Sequence, residues 1–285
     1  MSRLRAAGRF LLAHPRLLGA LQVLVLAVFL VSIGWAVRGT LEDAGDDLRH
    51  ANALDFGLAL VAIAAYYLLF VFGWMRILSD WKMPLRYPQA LQAEMVSMLA
   101  KYVPGGVWTP AARVVAARRY GVDDAGLVTA SMLVEAGVSA VTGVLVFVVS
   151  LTWTHGVGGW TVPFVIVFGV VIAVLVHPRV FQPLSARVLR RFGRPPLPPL
   201  HGGTLGFLVV YYSFTWLVGG VGLWLLLRSV GAHAGVSTVV FLGGTSCVGA
   251  IVAVLVVIAP SGLGVREGSM YGVMLAIASA PHALS

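Results

Sequence analysis

The sequence predicts an all-α fold: a polytopic integral membrane helical bundle with two broken, re-entrant segments. Three observations predict it. Of 285 residues, 59% are hydrophobic and 11% charged, with a mean hydropathy of +0.92, whereas soluble domains carry about 25% charged residues. Apolar stretches long enough to cross a bilayer recur along the chain between short polar or basic connections. Two of these stretches are interrupted by proline and glycine beside charged residues, at 101–108 and 259–268. In hydrocarbon every backbone N–H and C=O must be satisfied internally. A break is tolerated there only where it is buried in protein or lines a wet cavity.

The elements follow in order, and residues 1–285 read as a single transmembrane domain. Residues 1–16 carry Arg3, Arg5, Arg9 and Arg16 and no acid. The apolar run 17–37 is long enough to span and has no small-residue cleavage site after it, so it reads as a retained first helix. Residues 38–52 are polar and acidic. The second span is 54–78, and a basic turn follows with Arg76, Lys82 and Arg86. Residues 90–103 are apolar but carry Gln92, Glu94 and Lys101. At 1.5 Å per residue they reach only about 21 Å, short of the ~30 Å hydrocarbon core. They read as a re-entrant half-helix, 90–104, that ends at Pro104, Gly105 and Gly106. Residues 111–120, with Arg113, Arg118 and Arg119, read as an interfacial helix facing anionic headgroups.

Asp123 and Asp124 are placed to open the third span, 126–151, where acid is favoured at a helix N-terminus. Trp153 and Trp160 fit an aromatic belt around a short loop, and 161–176 is a shorter fourth span. Residues 178–199 read as a loop with five arginines that closes in a stiff, proline-rich segment. The fifth span is 204–227. Its Gly219, Gly220 and Gly222 permit close helix approach, including a contact between copies of the chain. The sixth span, 236–259, runs into Pro260, Gly262 and Gly264, and 269–280 is a short final apolar piece.

Orientation follows from the basic residues. With a cytoplasmic N-terminus and a 90–104 segment that returns to the side it entered from, fifteen lysines and arginines fall inside and three (Arg38, Arg49, Arg228) outside. That is the positive-inside pattern. Helix, connection and interrupted segment recur in the two halves in opposite senses, which is the sequence pointer to an inverted repeat. Identity between the halves is negligible beyond the Pro-Gly signal. The net charge of +9 indicates topology and anionic lipid surfaces, not nucleic acid.

Ionisable residues at a membrane-depth break are costly and mark candidate sites. At the second break, Arg266 is placed to hold a headgroup phosphate through its planar fork. Glu267 is placed to orient it or hold an amine, and the positive end of a helix starting near Gly264 points at the same anion. The competing reading is an ordinary turn with a snorkelling arginine. At the first break, Glu94 and Lys101 lie two turns apart on one face. They are either part of the site or an intrahelical pair. Glu135, inside the third span, is a proton-coupling carboxylate, a partner for Lys101 or Arg266, or a structural hydrogen bond between helices. The two breaks read as one site.

Other chemistry finds no support. Cys247 is the single cysteine, which excludes a disulfide within the chain and a multi-cysteine metal site. None of the seven histidines pair at metal-ligand spacing. There is no P-loop, dinucleotide fingerprint or nucleophile elbow. The expectation is no metal, no cofactor and no catalytic residue, with transport passive or ion-coupled.

The residues Lys101-Tyr102-Val103-Pro104-Gly105-Gly106-Val107-Trp108, then Arg113, Arg119-Tyr120-Gly121-Val122, Glu135 and Pro260-Ser261-Gly262-Leu263-Gly264-Val265-Arg266-Glu267-Gly268 resemble the lysylphosphatidylglycerol synthase transmembrane-region family, also described as a flippase-like domain. The resemblance covers most of the chain. It implies an all-helical domain of the plasma (bacterial inner) membrane with re-entrant segments. In bifunctional members such a domain translocates aminoacylated phospholipids made by a fused soluble synthase. Other relatives stand alone or serve polyprenyl-phosphate pathways. This chain carries no synthase domain, so synthesis is not implied. Members often continue through another span after the second motif, where here only 269–280 follows. By motif position the site residues are Lys101, Arg113, Glu135, Arg266 and Glu267.

The reading is a membrane lipid flippase that passes an anionic, aminoacylated or polyprenyl-phosphate headgroup through a polar cavity between the two breaks. Arg266, Lys101 and Arg113 would attract phosphate, and Glu94, Glu135 and Glu267 would balance charge. The expected partners are membrane lipids, a second copy of the chain or a separate synthase. The alternatives are a non-catalytic partner of a lipid-modifying enzyme or glycosyltransferase, and an intramembrane enzyme acting on a lipid phosphate.

Overall fold

A computed structural model describes residues 45, 49–101, 108–154, 178–191, 197–232, 234–255 and 264–278. The described residues are helical: α1 (Ala53–Asp80), α2 (Tyr87–Ala100), α3 (Trp108–Arg118), α4 (Ala125–Thr154), α5 (Pro178–Arg191), α6 (Gly202–Ser229), α7 (Thr238–Leu255) and α8 (Val265–Ala278). The expected spans 17–37 and 161–176, and the breaks at Pro104, Gly105, Gly106, Pro260 and Gly262, lie outside the described residues.

The helices α1, α4 and α6 are long and apolar enough to cross a membrane. At 28 residues, α1 is about 42 Å long, more than the ~30 Å core requires. Its ends are set locally. Asn52 caps its start by accepting the N–H groups of Leu54 and Asp55 at 3.0 and 3.2 Å. Its end closes when Met83 N–H donates to the Leu78 carbonyl and Lys82 N–H to that of Ser79, at 2.8 and 3.1 Å. That is a Schellman closure with Lys82 at φ 60° in the position glycine usually takes.

Antiparallel packing of α1 on α6 is fixed at both ends. Asn52 N–H donates to the Ser229 carbonyl at 2.8 Å, and Arg228 pairs with Asp55 at 3.5 Å. At the other end the Asp80 carboxylate accepts the His201 backbone N–H at 2.8 Å and lies 2.7 Å from its Nδ1. Between them Gly73 leaves room for the Tyr212 phenol, which a Cβ there would strike. On the far side of α6, α7 comes close because Gly220 meets the backbone of Val239 and Gly243. Gly219 and Gly222 face Tyr66 and Ile63 of α1. The glycines expected to allow close approach therefore allow it inside the protein.

The half-helix and the following basic helix form a hairpin. The helices α2 and α3 pack against each other, and neither is long enough to span. Tyr120, just past α3, hydrogen-bonds Gln92 near the start of α2, so the two run antiparallel. Asp124 opens α4 by accepting Leu127 N–H at 2.9 Å.

One expectation is corrected. Residues 178–191 form the helix α5 and not a loop. Val180, Leu184 and Val188 recur every four residues, and Arg190 and Arg191 sit in the last turn, where cations complement the helix dipole. Pro183 lies within the helix and is exposed, as are Arg179, Arg187, Arg190 and Arg191.

Candidate functional site

The hairpin carries charge into the bundle. On α2, the residues Ala90, Ala93, Glu94 and Ser97 form the buried face, spaced so that they share one side of a helix. The small alanines let α2 sit close, and Glu94 is the large side chain among them. On α3 the buried face is Arg113, Ala116 and Ala117. Arg113 is 5% exposed, Glu94 2% and Glu135 4%. One arginine thus meets two carboxylates: its Nη2 pairs with Glu94 Oε1, and its Nη1 donates to Glu135 Oε2 at 2.6 Å.

The surrounding residues complete the cluster. Arg113 Nε donates to Ser97 Oγ at 3.2 Å, and that hydroxyl donates to the Glu94 carbonyl at 2.7 Å. The Tyr212 hydroxyl on α6 donates to Glu135 Oε1 at 3.5 Å. The indole of Trp74 on α1 lies under the guanidinium, 4.8 Å from its carbon to the ring centre. The same indole donates through Nε1 to Ser131 Oγ at 2.8 Å. Glu94 Oε2 is buried with no hydrogen-bond partner among the described residues. Residues of five helices therefore meet in one cluster around the Arg113 guanidinium, and with both carboxylates ionised the cluster is one negative charge in excess.

The residues at the second break are arranged differently. Gly264 takes φ 74°, and its N–H donates to Glu267 Oε2 at 2.8 Å. Glu267 is exposed and closes the first turn of α8, as the third residue of a capping box does. Arg266 is half-buried and donates through Nη2 to Ser246 Oγ on α7 at 3.0 Å. It approaches because Gly249 has no side chain: a Cβ there would lie 3.0 Å from the Arg266 carbonyl. Tyr66 on α1 is close enough to both Arg266 and Glu135 to interact electrostatically with each.

The structure thus brings Glu94, Arg113 and Glu135 together and places Arg266 at a separate position along α7. Two sequence expectations change. Arg113 turns inward to two carboxylates, whereas Arg118 and Arg119 are exposed. The charge partner of both Glu94 and Glu135 is Arg113, where the sequence had suggested Lys101 or Arg266. Lys101 caps the end of α2. Trp74, Ser97, Tyr212 and Ser246 complete these contacts and were not anticipated. The one signal for them is the charge on an otherwise small-residue face, Ala90-x-x-Ala93-Glu94-x-x-Ser97.

Chemically, the Arg113 cluster is an ion network in which one anionic oxygen has no partner among the described residues. Among the described residues, Arg266 makes one side-chain hydrogen bond, to Ser246, and a guanidinium carries five N–H donors, enough for a bidentate phosphate contact as well.

The family description "Lysylphosphatidylglycerol synthase TM region" matches residues 20–285. Comparisons with curated proteins and with solved structures gave no match.

Proposed function

Because this integral membrane chain belongs to the lysylphosphatidylglycerol synthase transmembrane-region family, a family of lipid-handling proteins, we propose that it moves a lipid between the leaflets of the plasma membrane. The headgroup is anionic or aminoacylated and crosses through polar space inside the bundle, while the hydrocarbon chains stay in lipid. The N-terminus is cytoplasmic, and the chain catalyses no covalent step.

One observation carries this reading: a buried Glu94–Arg113–Glu135 network held by a hairpin too short to span. Buried ion networks are weak contributors to stability compared with apolar packing. Ionisable groups at membrane depth otherwise mark substrate or ion pathways. Arg266 is the phosphate contact, because among the described residues no carboxylate engages its guanidinium as Glu94 and Glu135 engage that of Arg113.

The test uses vesicles holding the protein and labelled phosphatidylglycerol, lysyl-phosphatidylglycerol or a polyprenyl phosphate, with Arg266→Ala and Glu135→Gln beside the unaltered chain. The expected result is exchange of at least one lipid, lost in Arg266→Ala while the thermal transition is kept. Equal exchange by Arg266→Ala and the unaltered chain removes Arg266 from the path. A stably co-purifying enzyme without exchange supports the partner-subunit reading instead. Turnover of a lipid phosphate by the purified chain supports an intramembrane enzyme.

A further inference from the structure

The hairpin has a second face. On the side of α2 and α3 away from the ion network runs an open groove of about 340 Å³, within the usual range for ligand pockets, about 300–1,000 Å³. Gln92, Val96 and Ala100 line it from α2 at four-residue intervals, and Ala112, Val115 and Arg119 from the α3 side. Along α2 it extends about 12 Å, at 1.5 Å per residue. Its depth comes from alanines, where larger side chains would fill the seam between the two helices.

The groove is polarised end to end. Gln92 and Tyr120, joined by a hydrogen bond, close the end at the base of the hairpin, and Arg119 stands beside them. Towards the tip the lining is apolar, with Val96 and Val115 exposed. The base is also where the basic residues gather: Lys82 and Arg86 before α2, Arg118 at the end of α3 and Arg119 just past it, all exposed. Arg118 is directed to the Asp123 carbonyl at 3.4 Å, and Asp124 is occupied in capping α4. Among the described residues no hydrogen bond or ion pair engages the Arg119 guanidinium, so its charge is open to an outside anion.

We infer that this groove is a docking site for one phosphate-bearing membrane lipid, with a hydrocarbon chain along Val96, Ala112 and Val115 and the phosphate at Arg119. Charge complementarity selects the occupant. An apolar channel that begins at the end where exposed basic residues gather, at a cation with no partner among the described residues, matches an anionic lipid, which carries its charge at one end and its hydrocarbon chain beyond it. The site is separate from the Arg113 network, which lies on the opposite face of the hairpin. It does not depend on lipid translocation.

The test is retention of pyrene-labelled phosphatidylglycerol by the purified full chain in detergent, against pyrene-labelled phosphatidylcholine, with inorganic phosphate as competitor. A charge-assisted phosphate contact corresponds to about a tenfold difference in affinity. Arg119→Gln is expected to weaken phosphatidylglycerol about tenfold and phosphatidylcholine, whose phosphate is already neutralised by its own choline, much less. Ala112→Trp, which fills the channel, is expected to weaken both, and Ala112→Leu serves if the tryptophan variant loses its thermal transition. Inorganic phosphate alone is expected not to compete. Unchanged phosphatidylglycerol retention in both Arg119→Gln and the filled variant overturns the proposal. Full competition by inorganic phosphate overturns the role of the channel. Retained binding with no leaflet exchange overturns only the transport reading.

Discussion

Replacing Arg113 with methionine keeps most of the side-chain volume and removes the charge. Two buried carboxylates, Glu94 and Glu135, are then left without their cation. Removing one partner of a buried ion pair costs about 3–5 kcal/mol, and the contact with the Trp74 ring is lost as well. Thermal unfolding in detergent, followed by the helical circular dichroism signal, reads this directly. At roughly 2–4 °C per kcal/mol for chains of about this size, Arg113→Met is expected to lower the midpoint by about 6–20 °C. Glu94→Gln is expected to behave differently. It removes one charge from a cluster with an excess of negative charge and leaves Arg113 with Glu135, so its cost is about 1 kcal/mol or less. The triple variant Arg113→Met, Glu94→Gln, Glu135→Gln should recover most of the loss, since no unpaired ion remains. An unchanged midpoint in Arg113→Met, or equal costs for Arg113→Met and Glu94→Gln, would refute the reasoning.

Three further outcomes are expected. Gly220→Ala drives a methyl into the backbone of Val239 and Gly243 and forces α6 and α7 apart, at about 1–3 kcal/mol of overpacking, measured as a lowered midpoint. Cys247 is fully buried, with Sγ 3.5 Å from the Ala140 carbonyl. A membrane-permeant maleimide should therefore label it only after denaturation, and rapid labelling of native protein would contradict the packing. Asp80→Asn replaces the charged acceptor of the His201 contacts that join the end of α1 to the start of α6. Because His201 is mostly exposed, the expected loss is about 1 kcal/mol, seen as a small drop in midpoint.

The spans were legible because hydrocarbon imposes a length: the apolar runs 54–78, 126–151 and 204–227 became α1, α4 and α6 with ends within a few residues. The ends themselves are set by Asn52, Lys82 and Asp124, whose roles are hydrogen bonds and not hydropathy. That α2 does not span was legible from arithmetic, since its fourteen residues cannot cross the core; that it pairs with α3 in a hairpin was not. Nor was the pairing of Arg113 with Glu94 and Glu135. Those residues lie 19 and 22 positions apart, and only the fold of the hairpin against α4 decides which side of α3 faces in. Arginine-rich composition suggested that Arg113, Arg118 and Arg119 all face outward; Arg118 and Arg119 are exposed, whereas Arg113 is buried. In α5 the same composition, with Pro183, masked a four-residue apolar repeat. Trp74 and Tyr212 were invisible as site residues because an aromatic in a span reads first as packing.

The most direct measurement is headgroup quenching in sealed vesicles with and without the folded chain. A membrane-impermeant quencher reaches only outer-leaflet label in protein-free vesicles. If the chain moves lipid, the protected inner-leaflet signal of phosphatidylglycerol, lysyl-phosphatidylglycerol or a polyprenyl phosphate should disappear over time when the protein is present. A protected fraction that stays equal to that of protein-free vesicles for all three lipids, with the chain folded in the membrane, would contradict the account.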